Sequence, residues 1–321
     1  MTTIVTGGLG FIGTHVVKAL VEAGERVVAT HYETRRIPRF IEPHIGNGVL
    51  LERCDVGAPG AIQTLAQKHG ADGIVNLAIH RRADPDPGAD IRINMDKLSH
   101  FFDGAREAGV KRVCWASNGA IFAELAQGPF HEETPVPLTG HVQPGAFKKA
   151  WEVLSYNYAA NYAASAGMEI VSMRISGVFG PTYRSMLNLP SRLCHAASKD
   201  SEADFSPQRG GVPFGGDTFD ITYAKDVGEA VRSLRLADSL EHRIYNISRG
   251  ATVTATELVD AVQNIKPGFQ ARLQEGSSPR FRTDAYLTND RITQSTGWKP
   301  SFTINEAIAD YIDWLDSGEE Y

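Results

Sequence analysis

Three glycines spaced three apart, Gly7, Gly10 and Gly13, stand between a short apolar run and an amphipathic one at the start of the chain. The run before them, Thr2-Thr3-Ile4-Val5-Thr6, reads as a strand. The run after them, Phe11–Ala23, puts Phe11, Ile12, Val16, Val17, Leu20 and Val21 on one helical stripe, and Gly24 supplies a C-cap. A glycine is needed where a chain turns tightly from strand into helix. A second lets backbone approach a pyrophosphate, and a third lets the helix pack on the sheet. The helix start then offers unpaired N–H groups and a positive dipole end to phosphates. The strand–turn–helix context separates this pattern from an ordinary glycine-rich turn and points to a dinucleotide.

The rest of the first half repeats the alternation. Strands are expected at Arg26–Thr30, Val49–Cys54, Gly73–Ala78, Val110–Ala116 and Met168–Arg174. Helices are expected at Ala58–His69, Ile91–Ala108 and Pro144–Ala166. Such alternation implies right-handed crossovers and a parallel sheet covered on both faces. After Ser176, Pro, Gly and Ser punctuate the chain as far as Gly216, with one helix around Met186–Ser198. Phe219–Tyr223, a helix over Ala224–Ala237 and the strand Arg243–Ile247 read as a return to the sheet. Short helices follow near Thr254–Asn264 and Ile304–Leu315. The expected fold is α/β, a doubly wound parallel sheet of the Rossmann type with a smaller discontinuous C-terminal lobe. Residues 1–176 plus about 219–247 would form the dinucleotide-binding core, and 177–218 with 248–321 the substrate-binding lobe.

Length and composition narrow the class. At 321 residues the chain is long enough for a large core without disulfide or metal staples. A net charge of −6 gives no electrostatic reason to expect nucleic acid or an anionic membrane as partner. The three cysteines Cys54, Cys114 and Cys194 lie far apart without CxxC spacing, so neither a disulfide framework nor a metal site is expected, and a reducing cytoplasm is the simplest setting. No signal peptide and no membrane span are expected.

The stretch Thr6-Gly7-Gly8-Leu9-Gly10-Phe11-Ile12-Gly13 resembles the TGxxGxxG motif of the extended short-chain dehydrogenase/reductase superfamily, in its NAD-dependent epimerase/dehydratase group. Further similar stretches recur in family order over nearly the whole chain. They are Cys54-Asp55-Val56, Asn76-Leu77-Ala78, Ile93-Asn94, Arg174 through Val178-Phe179-Gly180-Pro181, Tyr223 with Asp226-Val227, Tyr245-Asn246-Ile247 and Gly297-Trp298-Lys299-Pro300. The resemblance implies that Gly7, Gly10, Phe11, Ile12 and Gly13 hold the dinucleotide, together with Leu77, Ala78, Ile79, Asn94 and Lys148. It makes Asp55 and Val56 the adenine pair, although an Asp there also suits the N-cap of the next helix. It further implies a homodimer through the helices Ile91–Ala108 and Pro144–Ala166.

NAD selectivity usually rests on an acidic residue at the end of the second strand. Here His31 stands in that place, and Arg35 and Arg36 follow. Without a carboxylate to repel it, a 2′-phosphate can be bound by a guanidinium, so NADP is expected in preference to NAD. The alternative leaves both arginines on a solvated loop, with Glu33 serving the ribose.

Catalysis in the family rests on Tyr-x-x-x-Lys plus a Ser or Thr after the fifth strand. Residues four apart share a helix face, the ammonium lowers the phenol pKa, and the phenol moves a proton while hydride moves to or from the cofactor. In Gln143-Pro144-Gly145-Ala146-Phe147-Lys148, Lys148 is in register and Pro144 stands at the tyrosine position. In Ala116-Ser117-Asn118-Gly119-Ala120-Ile121-Phe122 the usual hydroxyl position is Asn118, with Ser117 beside it. A substitute acid or base is therefore expected, with His141, His80 and Tyr183 as candidates. His80, Asn118, Tyr183 and Arg184 are candidate substrate contacts, for a small hydroxy/carbonyl or sugar-type substrate. Two other readings stay open. One is lyase or aldol-type chemistry with the dinucleotide structural or transient; the other is a non-catalytic dinucleotide sensor.

Overall fold

The computed structural model describes residues 1–33, 35–78, 86–140, 143–205 and 211–318, with positions 87, 143 and 144 described by their backbone. In chain order the elements of the first half are β1 (Thr2–Thr6), α1 (Phe11–Glu22), β2 (Arg26–His31), β3 (Val49–Arg53), α2 (Ala61–His69), β4 (Gly73–Asn76), α3 (Pro87–Glu107), β5 (Arg112–Asn118), α4 (Gln143–Tyr158) and β6 (Glu169–Ile175). The second half holds β7 (Gly177–Phe179), α5 (Leu189–Ser198), β8 (Thr218–Phe219), β9 (Ile221–Tyr223), α6 (Ala224–Leu236), β10 (Ile244–Ile247), β11 (Val253–Thr254), α7 (Ala255–Ile265), α8 (Asp290–Thr296) and α9 (Ile304–Asp316).

Seven strands form one parallel sheet in the order β10-β6-β5-β4-β1-β2-β3. The alternation of side chains along each strand feeds two cores. Val5, Val27, Ala29, Val75 and Cys114 face α1 and α6, packing on Val16, Val17, Leu20, Val227, Val231 and Leu234. Their neighbours Ile4, Val28, Ile74 and Val113 face α2, α3 and α4, packing on Ile62, Leu65, Phe101, Phe102 and Trp151. This is the doubly wound arrangement the glycine motif and the alternation predict. Strand order reverses between β1 and β4, so a crevice opens there beyond the carboxyl ends of the strands.

A third core lies outside the sheet, where α5, α7 and α9 bury Leu193, Leu258, Ile308 and Tyr311. Thr254 with Glu257 and Thr303 with Glu306 form capping boxes that start α7 and α9. Three expectations are corrected here. Phe219–Tyr223 does not rejoin the main sheet: β8 pairs antiparallel with β11, and β9 pairs parallel with β7. The run changes partner at Asp220, whose carbonyl accepts from Gly177 N at 3.1 Å, and Ile221 and Tyr223 pack into the third core. The helix expected from Ile91 starts at Pro87, because Asp86 caps it by accepting from Gly88 N at 2.9 Å, a signal that apolar periodicity does not carry. The helix expected through Ala166 is α-helical only to Tyr158, then continues as a π turn (Ala159–Ala163) and a 3₁₀ turn (Ala164–Ala166) into Gly167.

Candidate active site

The glycine turn is shaped by close backbone contact. Gly7 takes a positive φ of 68°, its N–H donates to Thr30 Oγ1 at 3.2 Å, and its carbonyl accepts from Gly10 N at 2.8 Å. A Cβ on Gly13 would fall 2.1 Å from the Gly7 carbonyl oxygen. A Cβ on Gly8 would fall 2.8 Å from that of Ala29 on β2. Gly8 is not singled out by the three-residue spacing, yet it too is enclosed, with the Val5 carbonyl oxygen 2.9 Å from the Cβ position. No side chain caps α1, and its first turn carries no acidic residue, so its leading N–H groups remain available to an anion.

Beside this turn lies a cavity of about 170 Å³. Gly7, His31, Asp55, Val56 and Ala78 line it, with Tyr32, Lys97 and Trp151. His31 Nδ1 is buried and has no partner among the described residues. Asp55 does not cap α2, whose N-cap is Gly60; it accepts from Gly57 N at 3.1 Å and lies 3.8 Å from Lys97 Nζ. A glycine cradle, an open helix start and an orphaned imidazole nitrogen in one crevice fit a dinucleotide. Ile79 lies outside the described residues. Asn94 is buried within α3, donating to Asp90 O at 2.8 Å, and Leu77 packs on the first core; neither lines the cavity. Phe11 and Ile12 also stand off it, and Arg35 and Arg36 are exposed on the segment after β2.

The next strand ends frame a second cavity of about 490 Å³. Its lining includes Asn118, Ser176, Gly177, Asp220 and Arg282. Asn118 Oδ1 accepts from Ala120 N at 3.1 Å. Ser117, one residue away, points into the protein and donates to Glu152 Oε1 at 2.6 Å. Arg174 Nη2 meets the other oxygen of Glu152 at 2.7 Å, so a buried ion pair joins α4 to β6. Asp220 is pushed up to about 6, chiefly by burial, against hydrogen bonds from Ser248 and Leu287 and the charges of Arg249 and Arg282.

Lys148 lines neither cavity. It is buried, its Nζ donates to the Ala116 carbonyl, and it lies 4.9 Å from the Trp151 ring centroid and 5.5 Å from that of Trp115. Burial pulls its pKa down to about 8, opposed by Glu152. Pro144 occupies the first turn of α4, a position that tolerates proline. His141 and His80 lie outside the described residues. Tyr183 sets its ring edge-on to Phe11 at 5.0 Å, and Arg184 is exposed; neither lines the second cavity.

A model of the NAD dependent epimerase/dehydratase family matches residues 3–248. The chain belongs to that family. It is an enzyme of the oxidoreductase, epimerase and dehydratase type. A probable UDP-glucuronate 4-epimerase of Rhizobium meliloti is 24% identical over 349 aligned positions, covering 98% of this chain and 97% of the relative. A dTDP-glucose 4,6-dehydratase of Xanthomonas campestris is 23% identical, covering 98% and 92%. Among solved structures, UDP-glucose 4-epimerase of Thermotoga maritima with UDP-glucose superposes at a TM-score of 0.78, with 19% identity over 99% of each chain. dTDP-glucose 4,6-dehydratase of Bacillus anthracis in complex with NAD superposes at 0.79, with 16% identity over 100% and 98%.

Sequence reasoning missed several residues of this epimerase/dehydratase-family site. Asp220 and Arg282 come from segments far apart in sequence, and no local spacing links them to Asn118. His15 sits on the helix stripe and looks like core. Its Nε2–H donates to the Pro181 carbonyl at 3.0 Å, and burial lowers its pKa to about 4. It thereby ties α1 to the turn that carries Tyr183.

Proposed function

We propose that the chain binds a nicotinamide dinucleotide in the smaller cavity and a nucleotide sugar in the larger. It exchanges the substrate proton through a group other than a tyrosine phenol. The observation that carries this reading is the succession of the two cavities along one sheet edge, beyond β1 and β4 and then beyond β5 and β6. The names of relatives that span nearly the same length support the nucleotide-sugar class. When bound, the dinucleotide supplies a carbon that accepts or returns hydride.

The residues divide the remaining work. The glycine turn from Gly7 to Gly13 lets the pyrophosphate approach the uncapped start of α1, and Asp55 and Val56 hold the adenine. His31, with Arg35 and Arg36 on the following segment, favours NADP over NAD. Lys148 orients the nicotinamide ribose. With its Oδ1 engaged by Ala120 N, Asn118 presents its amide N–H groups to a substrate oxygen. An amide donates but does not exchange protons, so Asn118 binds an oxygen where a hydroxyl would also relay. Exposed Ile91, Leu154 and Tyr162 on and just beyond the two long helices suit a homodimer face.

One observation favours a second reading. Neither Pro144 nor Asn118 can exchange a proton, which suits lyase or aldol-type chemistry beside a resident dinucleotide. Incubation with UDP-glucuronate, UDP-glucose and dTDP-glucose, following products and dinucleotide absorbance, separates the two. Conversion with transient absorbance change, lost in Lys148→Met, is expected. Cleavage of the sugar carbon skeleton without such change would select the second reading. Titrating both dinucleotides should show NADP binding about tenfold tighter, a difference of ~1.4 kcal/mol. The reverse order would remove that preference, and sedimentation of the same samples reads the dimer.

A further inference from the structure

We propose that Asp220 is the base that takes up and returns the substrate proton in the larger cavity. The proposal rests on the functional reading above and supplies the group that reading leaves open. Asp220 falls between β8 and β9, in the run that fails to join the main sheet, and it lines the larger cavity. Among the described residues that line this cavity it is the sole carboxyl, and Arg282 is the sole cation. Two bonds fix its plane: Oδ1 accepts from Ser248 Oγ at 2.7 Å and Oδ2 from Leu287 N at 2.9 Å. Each carboxylate oxygen keeps a further lone pair for a substrate hydroxyl.

The step balances without a further reagent. The substrate O–H bond breaks, the proton passes to a carboxylate oxygen of Asp220, and the electron pair stays on the substrate oxygen. Asn118 and Arg282 line the same cavity, and their N–H groups stabilise that oxygen. The reverse transfer restores the carboxylate. Among the described residues, the charged groups that face Asp220 are Arg249, from the loop after β10, and Arg282, from the segment before α8; both favour the ionised form, while burial opposes it. The balance leaves a carboxyl that titrates near 6, ionised at neutral pH and close enough to it to carry a proton transiently. Tyr183, the described alternative, is packed against Phe11 instead.

The test compares the wild type, Asp220→Asn and Ser248→Ala on whichever of UDP-glucuronate, UDP-glucose and dTDP-glucose the wild type converts. Asp220→Asn should bind that sugar nucleotide within about threefold of the wild type by calorimetry, yet lose about 10²–10⁴-fold in kcat, the range of a general base. Ser248→Ala removes a bond that lowers the Asp220 pKa. Its plateau kcat should fall far less than that of Asp220→Asn, while the acid limb of the pH profile moves to higher pH, a displacement that a purely structural role would not produce. An infrared carboxylic-acid band that titrates near 6 in the wild type should move with it. A kcat within tenfold of wild type in Asp220→Asn, or an unmoved acid limb in Ser248→Ala, overturns the proposal. If Asp220→Asn does not fold, the Ser248→Ala profile decides alone. A wild type that converts none of the three overturns the underlying reading, and the role of Asp220 with it.

Discussion

The two ends of the candidate site are built from different material. The cradle around Gly7, Gly8 and Gly13 is backbone, and its shape follows from where a Cβ cannot fit. The region from Ala116 to Glu152 is side-chain chemistry held by buried charge: Ser117 and Arg174 on Glu152, and Lys148 between two tryptophans. A backbone cradle tolerates change only in its surroundings. On the proposed reading, the side-chain site lacks a phenol at Pro144 and a hydroxyl at Asn118 while the scaffold stays folded. On that reading binding and catalysis are separable in this chain, and the sharpest tests ask whether each end fails in its own way.

The largest effect should come from the buried ion pair. Arg174→Met leaves the Glu152 carboxylate buried with only Ser117 to bond it, and should cost about 3–5 kcal/mol of unfolding free energy. Urea unfolding reads that loss. Dinucleotide affinity of the folded fraction should stay within about threefold, because no atom of the pair lines the smaller cavity. The double variant Arg174→Met/Glu152→Leu should recover most of the stability, since no charge is then stranded. A large loss of dinucleotide affinity in the single variant would show that the two ends are coupled.

A second test uses the proton on Lys148. Its pKa in the folded chain is about 8 against an ordinary 10.5. Below about 8 both folded and unfolded chains carry the proton, and the burial penalty is fully present. Between 8 and 10.5 the folded chain has released it while the unfolded chain still binds it, so stability rises with pH. The slope should approach ~1.4 kcal/mol per pH unit in that window, adding up to about 3 kcal/mol. Lys148→Met should lack this rise, as read by urea midpoints across the window. An identical pH dependence in both proteins would mean that Lys148 is not held in the dry site between Trp115 and Trp151.

The same division explains what was legible in the sequence. The sheet and its two helical layers follow from period and punctuation, because burial on both faces leaves few alternatives for runs such as Ile4-Val5 and Val27-Val28. The glycine turn is legible because only glycine meets its geometry, although Gly8 escapes the spacing rule. The reaction side is less so. That Ser117 faces inward depends on Glu152, 35 residues away. The wall of the larger cavity depends on a strand that breaks at Asp220 and on segments near 248 and 287 that meet only in three dimensions. Local pattern registers that Pro144 and Asn118 are not a phenol and a hydroxyl; it carries no information about which distant group stands near them.

The finest test lies inside the cradle, between two glycines to which the motif gives different tasks. A Cβ at Gly13 would press on the Gly7 carbonyl oxygen at 2.1 Å and on Gly8 Cα at 2.9 Å, both backbone atoms with nowhere to yield. Gly13→Ala should therefore cost about 1–3 kcal/mol of stability and weaken dinucleotide binding together. Gly10 has an ordinary extended backbone, φ −80° and ψ 174°, and a Cβ there would meet one atom, the Gly7 carbonyl oxygen, at 3.0 Å. Gly10→Ala should leave unfolding within about 1 kcal/mol of wild type. If Gly10 serves close approach of a pyrophosphate, the same substitution should still weaken dinucleotide binding about tenfold or more. Equal destabilisation by both alanines would mean that the turn is rigid throughout and that no glycine in it is reserved for the ligand. Loss of binding without loss of stability at Gly10, and loss of both at Gly13, would separate the glycine that builds the cradle from the one that admits the phosphates.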